Sequence, residues 1–427
     1  MGTEVTLDIN GNMIDWSKNG IELHHGPLFQ EQDRVELPFE PEEDGIDSYR
    51  KTLRRPLGAV LPRLELMGIR LEVVRQNYDL LATEWREIEA YMCDDDFDRK
   101  RLTPLPFDRL LDFVRDHPID SLNSKEDWGI EPGTRERNQG RFLGCTLIPR
   151  IPRDSYNEPD PHSEQSYFVQ VVNVLGPYAT LRLLAECAGN LDLPVEWAYA
   201  PLVNSGWIEP EAVRTGPTRR QRTLVATEGS SDVHILSHAL NLLRPDVADF
   251  FQFIDISERH PFSGTGSLVN FAEGLAKIDV QNQIVFLFDN DVEGVDAAHR
   301  ASLFCLPDNM RILVLPDLEE FRRFTTQGPD GIHTSDINNR AAAIECYLDL
   351  RRDGRPSAQV LWTALKREPD VYQGALQYKE QYTKLFLRQT AESIRDGRYD
   401  VSKLEFVLDS LIEECASLAA KATRMPE

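Results

Sequence analysis

Two short acidic motifs carry the chemistry this sequence offers. The apolar run Leu224-Val225-Ala226-Thr227 leads directly into Glu228-Gly229-Ser230-Ser231-Asp232, and Ile284-Val285-Phe286-Leu287-Phe288 leads into Asp289-Asn290-Asp291-Val292-Glu293-Gly294. Brought to one place, Glu228, Asp232, Asp289, Asp291 and Glu293 repel one another unless cations neutralise them. An oxygen-only donor set suits magnesium or manganese better than zinc. Two such ions side by side activate water and stabilise the attacking and leaving oxygens of a phosphodiester displacement. One acidic turn alone carries little weight in a chain with 71 Asp and Glu, many of which must punctuate exposed strand ends. Two matched turns in one sheet single out the divalent-metal reading.

A parallel sheet must position them. Apolar runs at 223–227, 250–256, 284–288 and 312–315 alternate with helical stretches at 233–243, 268–278 and 295–303. Helical crossovers force consecutive strands to run parallel, and ligands of such sheets sit at the carboxyl ends of the strands. Both acidic motifs stand at those ends, with Gly229 and Gly294 permitting tight turns beside them.

The Glu-Gly-x-x-Asp turn, followed by Asp-x-Asp-x-x-Gly after an apolar strand, resembles the Toprim domain of topoisomerases, primases and the overcoming-lysogenization-defect (OLD) nucleases. The second acid at Asp232 makes the nuclease branch the most similar, and the resemblance covers residues 221–350. It implies that Glu228 is a metal ligand or general base, that Asp289 and Asp291 hold a first Mg2+ or Mn2+ ion, and that Asp232 helps bind a second. Glu293 and Glu345 are further ligand candidates. Glu345 lies in Ile344-Glu345-Cys346-Tyr347-Leu348, which is similar to the acidic helix after the sheet in the nuclease branch; the alternative is an exposed helix acid. A cation completes such a site, and Lys379, with Lys384 behind it, is the candidate for stabilising transition-state charge, against the alternative of a helix-surface lysine. Nuclease-branch relatives often act in defence against phage.

The N-terminal part is similar to the domain called HEPN/Toprim-associated, through the strand and turn at Val5–Asn12, the segment Leu61–Gly68 and residues Leu202–Trp207. The HEPN ribonuclease signature, Arg then His four to six residues later, is missing: Arg109 and His117 are too far apart, Arg115 and His117 too close. No chemistry is assigned to this half. Its expected elements are a hairpin around Asn10-Gly11-Asn12, an acidic loop at 31–48, helical periodicity over 57–92 and 107–114, a polar connection between subdomains at 124–141, a helix over 167–190, and a strand and loop over 195–208.

Charge constrains any partner. With 47 Lys and Arg against 71 Asp and Glu the chain carries a formal −24, so its summed field repels phosphate. Nucleic acid must be held by a local basic patch or through metal ions. The densest basic cluster, Arg214, Arg219, Arg220 and Arg222, sits in a Gly/Pro linker and is the candidate, unless it is only a solvated linker. Six cysteines spread singly, without zinc-ligand spacing, read as reduced and buried and point to the cytoplasm. No apolar run is long enough to span a membrane.

Rival motifs fail on spacing. Gly264-Thr265-Gly266-Ser267-Leu268-Val269 lacks the third glycine of a dinucleotide loop, and its glycines better serve an approach to the metal edge. Asp94–Asp98 has Arg99 and Leu105 where a calcium loop needs Gly and Glu, leaving a solvated helix terminus. No G-x-x-x-x-G-K-[ST] occurs, so any ATPase or effector coupled to the site is a separate protein. The closing helix, 402–420, has Leu404, Val407, Leu408, Leu411, Cys415 and Leu418 on one face and Ser402 with Glu405 as a capping box. That face serves core packing or a homodimer.

The expected protein is α/β: an α+β N-terminal domain over 1–213, a four-stranded parallel Toprim sheet flanked by helices over 221–350, and a helical C-terminal extension over 351–427. The expected function is Mg2+- or Mn2+-dependent hydrolysis of DNA or RNA. The alternative is a non-catalytic adaptor whose acidic edge holds a structural cation and whose N-terminal domain recruits a partner.

Overall fold

The computed structural model describes residues 3–38, 49–95, 102–153, 158–254, 265–278, 280–351, 357–366 and 371–423. The chain divides into two compact units, one running to Pro217 and one from Thr218 to Ala422.

The first unit is built on an antiparallel sheet. Strands β1 (Glu4–Ile9) and β2 (Asn12–Lys18) form the expected hairpin, with Asn10 and Gly11 both at positive φ, +50° and +76°, as a two-residue turn requires. Strands β3 (Arg34–Pro38), β4 (Tyr49–Pro56) and β5 (Pro194–Ala198) complete the order β2-β1-β5-β4-β3. Residues 34–38 therefore pair as a strand where a loop is expected; 39–48 lie outside the described residues. Helices α1 (Leu57–Leu66) and α2 (Leu71–Asp95) divide the periodic stretch at Gly68, whose φ of +87° ends the first of them. Residues 96–98 of the acidic run lie outside the described residues.

Helix α3 (Phe107–Arg115) buries five of its nine residues. Helix α4 (Thr134–Gln139) falls in the stretch read as a connection between subdomains, yet that stretch is integral to the first unit: Asn138 donates to the carbonyls of Asp127 and Pro161. The helix expected over 167–190 is two, α5 (Glu164–Val172) and α6 (Pro177–Leu184), broken where Gly176 precedes Pro177. Helix α7 (Ala200–Asn204) follows β5. Trp197, Phe168, Phe29, Tyr78 and Leu53 centre the core of this unit.

The second unit opens with alternating strands and helices: β6 (Thr223–Thr227), α8 (Ser230–Leu243), β7 (Phe251–Phe253), α9 (Thr265–Ala276), β8 (Gln283–Phe288), β9 (Asn290–Asp291), α10 (Val292–Ser302) and β10 (Met310–Val314). The sheet order is β10-β8-β6-β7 and every pair is parallel, as the helical crossovers require. All six residues of β8 are buried, the pattern of a central strand covered on both faces. Gly264, assigned to the approach loop, lies outside the described residues.

A second sheet follows that the apolar pattern does not foretell. Strands β11 (Phe324–Gly328), β12 (Gly331–Ser335), β13 (Ala341–Ala342), β14 (Val360–Lys366) and β15 (Val371–Leu376) give a mixed sheet in the order β12-β11-β14-β15, while β13 pairs with β9. The segment after residue 350 thus contributes two strands before it becomes helical in α11 (Lys379–Phe386), α12 (Ala391–Arg395) and α13 (Ser402–Thr423). In α13 the whole apolar face, Leu404 to Leu418, is buried within this chain, so it packs a core. Its cap differs from expectation: Asp400, not Ser402, holds the first turn, its Oδ1 accepting from Ser402 N at 3.0 Å and Ser402 Oγ at 2.7 Å.

Cys187, Cys346 and Cys415 are free and buried, but Cys145 is only partly buried and Cys305 is exposed, against the uniform burial expected. The side chain of Cys93 lies outside the described residues. Among the described residues no helix is long and apolar enough to cross a membrane.

Candidate active site

The register of β6 and β8, with Thr227 opposite Leu287, carries the chain from both strands into one acidic edge. Glu228 Oε1 accepts the backbone N–H of Asp289 at 3.0 Å, which ties the two motifs together. Gly294 is what permits this approach: a Cβ there would stand 2.2 Å from the Asp289 carbonyl and 2.9 Å from Glu228 Oε1. Asp291 caps α10, its Oδ1 accepting from Gly294 N at 2.8 Å, a favourable place for a negative charge at a helix N-terminus. Asp232 is buried in the first turn of α8, with Oδ2 accepting from Gly229 N at 3.0 Å.

Glu345 joins them from the far side. It sits in a single 3-10 turn, Ile344–Tyr347, and only 3% of its surface is exposed, which removes the exposed-helix alternative. The same turn supplies Ile344 N to Asp289 Oδ1 at 3.2 Å. Lys379, the first residue of α11, brings its Nζ to 3.8 Å from Glu345 Oε1. Lys384 stands exposed in the last turn of that helix. Asp232, Asp289 and Ile344 line a small cleft with Thr227, Leu236 and Leu315.

Electrostatics records the crowding. Burial, and after it the charges of Asp291, Asp232 and Glu293, pushes Glu228 from 4.5 up to about 8, against the opposing N–H of Asp289. Asp232 rises from 3.8 to about 6 through burial and the Glu345 carboxylate, with Lys379 pulling it back. Burial raises Asp289 well above the ordinary range, with Asp232, Glu228, Asp291 and Glu345 adding to it. Asp291 is raised by burial despite the donors at Gly294 and Gln373.

Other candidates differ from this group in their exposure. Glu293 is half-exposed and ion-paired with Lys366 Nζ at 2.5 Å. The basic cluster lies elsewhere in the chain: Arg214 belongs to the first unit, Arg219, Arg220 and Arg222 open the second, and all four are exposed without an ion pair among the described residues. Two further residues take part that the acidic motifs do not announce. Gln373 on β15 donates from Nε2 to Asp291 Oδ2 at 2.6 Å, and Lys366 on β14 neutralises Glu293. Neither belongs to a motif, and only the second sheet brings them here.

The donor set, four or five carboxylates starved of water and sharing one edge, has the chemistry of a divalent-cation site. In this conformation each acid is instead held by local donors, and among the described residues no group of three or more His, Cys, Asp or Glu is arranged to hold a metal ion.

Residues 1–221 match the family described as HEPN/Toprim N-terminal domain 1. The chain belongs to that family. No curated protein and no solved structure matches it. In this HEPN/Toprim N-terminal domain 1 protein the match ends before Thr223, so the whole acidic edge lies beyond it. Within the matched part His117, weighed for HEPN chemistry, is partly buried and packs against Phe113, Phe142 and Phe168 with Nδ1 at 2.7 Å from the Phe113 carbonyl.

Proposed function

We propose that this protein is a Mg2+- or Mn2+-dependent nuclease, with the unit after Thr218 acting as a Toprim-like domain of the OLD type. The observation that carries the reading is the convergence of Glu228, Asp289 and Asp291 from adjacent parallel strands with Asp232 and Glu345, where burial and mutual repulsion raise the proton affinities of Glu228, Asp232, Asp289 and Asp291. Carboxylates that are buried and repel one another favour a bound cation.

Under this reading Glu228, Asp232, Asp289, Asp291 and Glu345 hold two ions, and Glu293 stays with Lys366. Divalent ions held there would supply Lewis-acid activation and charge stabilisation for phosphodiester hydrolysis. Alternatively to serving as a ligand, the Glu228 carboxylate acts as the general base that takes up the proton of the attacking water. Lys379 supplies positive charge beside Glu345 to the developing negative charge of the phosphate. Arg214, Arg219, Arg220 and Arg222 hold the backbone of DNA or RNA. The catalytic region extends past residue 350, because Gln373 and Lys379 reach the acids. A separate ATPase or effector, a cytoplasmic setting and a role against phage belong to the same proposal.

One observation favours a second reading. Glu228, Asp232, Asp289 and Asp291 are engaged by local hydrogen bonds with no ready ligand set among the described residues, which also suits a non-catalytic adaptor. Incubating the purified protein with supercoiled plasmid, single-stranded DNA and total tRNA, in magnesium, manganese or chelator, decides between them. Cleavage that needs metal supports the nuclease; intact substrates in every condition support the adaptor or an enzyme that only a partner activates.

A further inference from the structure

We propose that Gln373 is a positioning residue for Asp291, and that the second sheet of this unit is shaped to place it there. The inference rests on reading the acidic edge as a divalent-cation site. It concerns which group fixes one of the ligands.

Three local features converge on this side chain. Along β14 and β15 the register shifts between Trp362 and Ala364, which face Gly374 and Gln373, so Thr363 is an extra residue in a bulge. Bulges re-aim side chains and are common beside active sites. Thr363 Oγ1 donates to the Gln373 carbonyl at 3.1 Å and so braces the backbone there. Next to it, Gly374 cannot carry a side chain: a Cβ would stand 2.6 Å from Val360 Cγ1, 2.9 Å from the Trp362 ring and 3.0 Å from Ala341 Cβ. Its absence lets β15 settle onto β13, with Gly374 N donating to the Arg340 carbonyl at 3.2 Å. Since Ala341 of β13 is the ladder partner of Asp291, that docking delivers Gln373 Nε2 to 2.6 Å from Asp291 Oδ2.

The other end of the amide argues against a role in stability alone. Gln373 Oε1 is buried and has no hydrogen-bond partner among the described residues. An apolar side chain of the same shape carries no such orphaned acceptor. What the amide provides is orientation. With Gly294 N on Oδ1 and Gln373 Nε2 on Oδ2, the Asp291 carboxylate is held by one donor at each oxygen, and its remaining lone pairs are left for a cation. Outer donors of this kind typically govern metal affinity by 10- to 100-fold.

The test is an equilibrium titration of the full chain with Mn2+, free ion being counted by electron paramagnetic resonance, beside melting curves in chelator. The variants are Gln373→Met, Asp291→Asn, the two combined, and Asp289→Asn. Gln373→Met is expected to weaken Mn2+ binding roughly 10-fold or more at a temperature where its melting curve in chelator shows the protein folded. In the Asp291→Asn background the same change is expected to add nothing. Should Gln373→Met fail to fold, Gln373→Leu takes its place. Binding equal to the unaltered protein, or a full additive loss in the double variant, overturns the proposal. If Asp289→Asn loses Mn2+ and Gln373→Met does not, only the positioning role falls; if the unaltered protein binds no Mn2+, the metal reading falls and this inference with it.

Discussion

Replacing Glu228 by Gln in metal-free protein should leave stability unchanged near pH 5 and raise it progressively toward pH 8. In the folded chain this carboxyl titrates near 8 instead of 4.5, chiefly because it is buried. Between those values the folded state holds a proton that the unfolded chain has released, so the stability gained from protonation is complete below about pH 4.5 and is lost as pH rises through the folded value. Gln mimics the protonated acid and keeps the oxygen that accepts from Asp289 N. At about 1.4 kcal/mol per pH unit, the unaltered protein falls behind the variant by about 3 kcal/mol at pH 7, with a ceiling of about 5 kcal/mol above pH 8. For a unit of this size each kcal/mol moves the melting midpoint by about 2–4 °C, so the separation at pH 7 is roughly 6–12 °C. Melting curves of both proteins in chelator across this range provide the assay. A difference that does not vary with pH, or a variant less stable at pH 8, refutes the electrostatic account. Mg2+ at about 100 times its dissociation constant should then return about 2.7 kcal/mol to the unaltered protein and less to the variant.

Other parts of the chain make their own tests. Gly294→Ala drives a Cβ into the Asp289 carbonyl, which is backbone and cannot turn aside, so it should abolish Mn2+ binding and lower stability by more than about 2 kcal/mol; a Mn2+ isotherm equal to the unaltered one contradicts this. In the first unit, burial raises the Glu164 carboxyl, but the N–H groups of Asn123 and Arg141 and the Arg141 guanidinium outweigh it and hold it below the usual glutamate range. Glu164→Gln should therefore cost about 2–4 kcal/mol at neutral pH, a cost that fades in denaturation curves as pH falls from that range through the lower folded value. Leu408→Ala removes a fully buried side chain from α13 and should cost about 2–5 kcal/mol in chemical denaturation. Changing Arg219, Arg220 and Arg222 together to Ala should weaken nucleic-acid binding and flatten its salt dependence, by about 0.9 in log–log slope for each phosphate that is no longer neutralised.

The parts legible in the sequence share a cause. Strands of the parallel sheet are buried on both faces, so 284–288 reads as an unbroken apolar run, and the acids stand out because they end such runs. The hairpin at Asn10-Gly11 is equally visible, since few residues tolerate two consecutive positive φ angles. Other elements lack that contrast. Strand β12, Gly331–Ser335, is almost wholly exposed and shows no alternation, and β3 holds two apolar residues and a proline. The second sheet is therefore invisible in the sequence, and with it Gln373 and Lys366, which become site residues only through β14 and β15. The burial of Glu345 is hidden for a related reason: a single 3-10 turn has no periodicity to read.

The central claim is that the acidic edge hydrolyses phosphodiesters with divalent metal, and single-turnover cleavage by Glu228→Gln and Asp289→Asn beside the unaltered protein tests it most directly. Cleavage that requires Mg2+ or Mn2+ and falls by at least about 100-fold in both variants, each still folded by its melting curve, is the predicted result. Cleavage at the unaltered rate in either variant, or cleavage that persists in chelator, contradicts it.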